Sequence, residues 1–161
     1  MTEYETNEKL DKDIKAVLDK KIHVEFNPIR EQELKILSLI VTKTNKDGEE
    51  EPLKRAVVCK KLPPDMKALT KGHYVIRMCH YFWTHANEIE KDALIHHALM
   101  TILVEKSAKT GKIVLKTRPP DVVEFRATVY RYGAYNETLI DFREAFKMAS
   151  KQLVESHKAT S

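Results

Sequence analysis

Glycine, cysteine and long apolar runs are all scarce in this sequence, and each shortage closes off a class of protein. No hydrophobic stretch approaches the ~20 residues that a membrane-spanning helix needs. The opening segment Met1 to Leu10 is acidic and polar, which is not the pattern of a secretory leader, so a cytoplasmic location is expected. The two cysteines, Cys59 and Cys79, form no CxxC pair for zinc or redox chemistry. Each lies in an apolar, strand-like run, and two buried thiols are favoured over a disulfide. With four glycines, 42% apolar and 32% charged residues, the composition is that of a helix-rich globular chain.

What is present points to one domain over residues 1–161, long enough for a continuous core. The net charge is +4, from 28 basic and 24 acidic residues interleaved along the chain. The densest basic cluster, Lys54, Arg55, Lys60, Lys61, Lys67 and Lys71, is countered by Asp47, Glu49, Glu50 and Glu51. That reads as a solvated surface in preference to a phosphate track. Neither a nucleic-acid nor a membrane partner is expected, and a homodimer stays open.

Leu10, Ile14 and Leu18 recur at helical spacing, so Asn7 to Lys20 reads as a first amphipathic helix within an N-terminal helical segment, residues 1–25. Branched residues from Lys35 to Thr42, Ala56 to Cys59 and His73 to Cys79 read as three strands, with a turn at Asn45 to Pro52. Asn87 and Glu90 stand at capping-box spacing. The stripe Leu94, Ile95, Ala98, Leu99, Ile102 and Leu103 extends the helix that follows towards Ser107. Lys112 to Lys116 is a short extended piece, and Pro119-Pro120 opens a helix that Gly133 stops. Asn136 caps a last helix with Leu139, Phe142, Phe146, Ala149 and Leu153 on one face, and residues 157–161 fray. A small three-stranded sheet followed by helices makes the expected class α+β.

The segment closest to chemistry is Ile95-His96-His97-Ala98-Leu99-Met100-Thr101. Zinc peptidases place two histidines at i and i+4 on one helix face, with a glutamate after the first to deprotonate the metal-bound water. His97 fills the first position, but Ala98 stands at the glutamate's place and Thr101 at the second histidine's. Alanine has no titratable group, and a threonine hydroxyl is a poor zinc ligand at neutral pH. His96 does not substitute, because neighbours on a helix point about 100° apart.

The order of segments around this helix resembles the phage metallopeptidase family, whose zincin-like members carry a histidine-glutamate helix. The matching pieces are Leu62-Pro63-Pro64-Asp65, the strand Tyr74 to Met78, Trp83, Ala93 to Leu99, Asp121-Val122-Val123-Glu124-Phe125, and Tyr130-Arg131-Tyr132-Gly133 before Leu139 to Phe142. Together they span residues 30–148. Of the residues such a family would use, the resemblance leaves His97 and Glu124, with Pro120 where a later histidine would fall. A catalytic zinc needs three protein ligands and an open position. The resemblance therefore implies a retained fold with vestigial positions at His97, Ala98, Thr101, Pro120 and Glu124, and neither a metal cofactor nor enzymatic activity is expected.

Family and size together imply a phage protein that binds and inhibits a host ATP-dependent protease, Lon above others, in the host cytoplasm. Trp83, Tyr132 and Tyr135 are the candidate contact residues, aromatic anchors being what such interfaces favour. Tyr81-Phe82-Trp83 reads equally as packing beneath the sheet. The alternatives are a peptidase with a non-standard metal site on His97 and Glu124, or a basic nucleic-acid accessory protein. His73, His80 and His85 are read as hydrogen-bonded or surface histidines in preference to a metal cluster.

Overall fold

The computed structural model describes residues 1–119, 140–141, 143–149 and 151–152. The chain divides into two compact units, Met1–Arg118 and Pro119–Ser161. No described helix is long and apolar enough to cross a membrane. The class is α+β.

In the first unit a four-stranded mixed sheet has the order β1-β2-β4-β3, from β1 (Thr2–Glu5), β2 (Ile36–Lys43), β3 (Val57–Lys61) and β4 (Tyr74–Cys79). β2 and β4 run parallel, while β1 and β3 pair antiparallel on either side. Three of these strands follow the branched-residue runs. The fourth, β1, corrects the expected three-stranded sheet. Its sequence Thr-Glu-Tyr-Glu is wholly exposed, and it is a strand because β2 offers it an edge. The Met1 ammonium donates to the Thr44 carbonyl at 2.8 Å, and the Tyr4 ring lies 5.6 Å from the Arg77 guanidinium. Glu3 and Glu5 leave charge on that edge, which discourages further strand pairing.

One sheet face packs on helices. The register aligns Ile40 with Met78 and Ser38 with Ile76, and β3 adds Val57 and Cys59 beside them. Over this surface lie Leu10, Ile14 and Val17 of α1 (Glu8–Asp19), and Ile95, Ala98 and Leu99 of α5 (Glu88–Met100). Asn7 caps α1, its side-chain oxygen accepting from the Leu10 N–H at 2.9 Å. Asn87 and Glu90 close a full capping box on α5. Between α1 and the sheet, a 3-10 turn (Val24–Phe26) and α2 (Asn27–Glu31) replace the expected simple break at Phe26-Asn27-Pro28.

Three elements differ from expectation. Pro64 starts a short helix, α3 (Pro64–Thr70), using the proline's preset φ. His80–His85 forms α4, so Trp83 lies on a helix. The stripe through Ile102 and Leu103 does not prolong α5, which ends at Met100; Ile102–Lys106 is a strand, β5, hairpinned to β6 (Ile113–Thr117). The apolar spacing fitted both a helix and a strand, and β-branched Thr101, Ile102 and Val104 together with a partner strand decide it. Tyr74 Oη donates to the Lys116 carbonyl at 2.6 Å, and Lys61 Nζ to the Leu115 carbonyl at 2.7 Å, fixing the hairpin to the sheet.

The two cysteines are free and buried. Cys59 pairs with Ile76, which puts Cys79 three positions further along the antiparallel ladder. An odd offset sends the two thiols to opposite faces of the sheet. In the second unit the described residues 140–141, 143–149 and 151–152 are helical, as the last-helix expectation has it, and Phe146 of its apolar set is exposed. Leu139, Phe142 and Leu153 lie outside the described residues.

Candidate functional site

Helix α5 carries the two features that matter for chemistry, on different faces. Ile95, Ala98 and Leu99 point into the core at 0%, 1% and 0% exposure, and the neighbouring faces leave His97 exposed and His96 half-buried. His97 borders an open groove of about 510 Å³ with Phe82, His85, Glu90 and Leu94. Two of the polar groups there, Glu90 and His85, are committed to local bonds. The Glu90 carboxylate accepts from the Asn87 N–H at 2.8 Å, and His85 Nδ1 lies 2.7 Å from the Tyr81 carbonyl.

Ala98 occupies a core position and belongs to the same cluster as Val57 and Cys59. Thr101 sits at the C-cap of α5, where its hydroxyl donates to the His97 carbonyl at 3.4 Å. The helix thus stops at the turn where a second histidine ligand would have to project. Trp83 is 6% exposed and packs in the core with the Lys91 ammonium 5.4 Å from its ring, so it presents little surface to a partner. Pro120, Glu124, Tyr132 and Tyr135 lie outside the described residues.

The histidines at the sheet's end have partners. His73 Nδ1 accepts from the Lys35 N–H at 3.0 Å, and burial, with Lys67 second, holds its pKa below the ordinary 6.5. His80 Nδ1 lies 2.9 Å from Glu50 Oε1. Buried Cys59 has its pKa pushed up to about 12, which makes it an inert thiol.

Sequence reasoning missed a group of three metal-ligating side chains that converge among the described residues. His96 Nε2 lies 2.7 Å from Glu25 Oε1, and His23 Nδ1 lies 3.5 Å from the same oxygen. One ligand atom from each of His23, Glu25 and His96 falls within 4.8 Å of the others. A backbone hydrogen bond first, then the bond to His96, holds the Glu25 carboxyl below the usual carboxylate pKa. His96 points away from His97, as the helical 100° step requires, but it meets Glu25, 71 residues distant in sequence, and His23 beside it. Only the His-x-Glu spacing at residues 23–25 hinted at this, and it carries no weight until folding brings the helix beside it.

These features define an α+β protein whose helix α5 turns Ala98 into the core and leaves His97 exposed. The family model for the "Putative phage metallopeptidase" family matches residues 2–155, and the chain belongs to that family. No curated protein and no solved structure matches it.

Proposed function

We propose that this protein is a non-catalytic member of its family that binds and inhibits a host ATP-dependent protease, with Lon the leading target, in the host cytoplasm. One observation supports the non-catalytic part: Ala98, which the family resemblance puts at the general-base position, has its side chain in the core at 1% exposure. A water-activating group there would need both a different residue and a different surface. The hydroxyl of Thr101 is turned onto the helix's own backbone, which adds to the same reading.

The inhibitory part rests on family and size. At 161 residues and 18.7 kDa the chain resembles the small proteinase inhibitor of T-even phages that acts against Lon. A protein with capped helices on a mixed sheet resists threading by an unfoldase, because opening a capped helix costs about 1 kcal/mol per cap beyond its packing. Such a protein can lodge between moving subunits and hold one state of their cycle. Tyr132 and Tyr135 are the contact residues this reading favours, while replacing Trp83 would act first on the fold.

The test adds the purified protein to Lon with ATP and casein and follows both chains on one gel. Casein should persist and the added protein should survive, while a short peptide that diffuses to the protease active site is less affected. Undiminished casein loss at several-fold excess, or rapid loss of the added chain, refutes the proposal.

A further inference from the structure

The convergence of His23, Glu25 and His96 is a donor set in search of a cation. We propose that these three side chains bind one divalent transition-metal ion of the zinc class, cross-linking the turn at residues 23–25 to helix α5. Two imidazoles and one carboxylate are a set that zinc accepts, leaving a fourth position for water.

The geometry is close to that of a bound site. Zinc–ligand bonds of about 2.0–2.1 Å place tetrahedral ligand atoms about 3.3 Å apart. His23 Nδ1 and Glu25 Oε1 already stand 3.5 Å apart. His96 Nε2 and the same oxygen, at 2.7 Å, have to open by a little over half an ångström as the ion replaces their hydrogen bond. Each of the three side chains is about one-quarter to one-third exposed, enough for an ion to enter and for a water to complete the shell.

The surroundings hold the ligands in place. Phe26, 1% exposed, packs against both rings, with centroids 5.6 Å from His23 and 5.0 Å from His96. The two imidazoles lie 5.0 Å apart, edge to face. The Arg30 guanidinium donates to the His23 carbonyl at 2.9 Å and also bonds the Leu18 carbonyl, which fixes the backbone of the turn. Among the described residues, the ion pairs of Glu25 are with these two histidines alone, so no lysine or arginine occupies the place of the cation. Pre-ordered ligands lower the entropy cost of binding and raise affinity.

This site is distinct from the family's position at His97, which faces the groove on another side of α5, and it is independent of the inhibitory reading. The experiment uses untagged full-length protein stripped with a chelator. It is titrated with ZnCl2, with MgCl2 as control, by calorimetry, and with CoCl2 by visible absorption. We expect one zinc per chain, a rise in Tm with zinc, and a visible cobalt band of tetrahedral type. His23→Gln and His96→Gln should each weaken zinc binding at least tenfold, and Glu25→Gln should do the same with the hydrogen-bonding shape kept. His97→Gln should bind within twofold of the parent. Affinity should fall as the solution is made more acidic, because protons compete with the metal for its ligands. No zinc binding above the magnesium control, binding that survives the His23→Gln/His96→Gln double variant, or binding lost in His97→Gln overturns the proposal.

Discussion

Replacing Ala98 with glutamate would restore the residue that the resembled peptidases use as a base, and the structure says what this would cost. Ala98 is 1% exposed, between Ile95 and Leu99 in the core. A carboxyl forced into such a place has its pKa raised by about 3–5 units, at 1.36 kcal/mol per unit, so keeping it ionised costs about 4–7 kcal/mol. The added atoms overpack the site for about 1–3 kcal/mol more. Against a total stability of about 5–15 kcal/mol, the variant should be at or near unfolding at pH 8. The sign of the pH effect follows from the raised pKa. The unfolded glutamate ionises near pH 4.3 and the folded one far above it, so the charge penalty is absent below about pH 4.3 and grows as pH climbs to the folded value. Thermal unfolding followed by circular dichroism at pH 5 and pH 8 measures this. Ala98→Glu should lose more than about 10 °C in Tm at pH 8 and recover part of it at pH 5. Ala98→Gln, equally bulky and uncharged, should show no such recovery. A Tm for Ala98→Glu within about 2 °C of the parent at both pH values would refute the reasoning, because position 98 would then open on solvent and could hold a base.

Further predictions concern the fold that carries the site. Under native conditions Cys59 and Cys79 should react with a thiol reagent far more slowly than after unfolding, both being buried and Cys59 raised to about pKa 12; two fast thiols in the native protein would contradict this. Tyr74→Phe removes only the hydroxyl that bonds the Lys116 carbonyl and should lower stability by about 1–2 kcal/mol in chemical denaturation, with no change meaning that this bond does not hold the hairpin. Because the folded pKa of His73 is depressed, the unfolded chain takes up the proton first as pH drops through 6.5, so stability is lost between 6.5 and the folded value. His73→Gln should flatten that part of the parent's stability–pH curve, and superimposable curves would remove His73 as the cause.

The sequence by itself determined whatever depends on near neighbours along the chain. The cap at Asn87 was legible because a capping box spans only four residues. Strands β2 and β4 showed in their runs of branched residues, and His97, Ala98 and Thr101 could be set on one helix from spacing alone. The tertiary structure decided everything that a distant partner supplies. Strand β1 has no hydrophobic pattern and exists because β2 presents an unpaired edge. The end of α5 at Met100 depended on β6 being there to pair with Ile102 to Lys106, since the same apolar spacing suits a helix until a strand competes for it. The meeting of His23, Glu25 and His96 left only the His-x-Glu spacing as a local trace, because a side-chain contact closed over 71 residues is set by packing, and packing is a property of the whole unit.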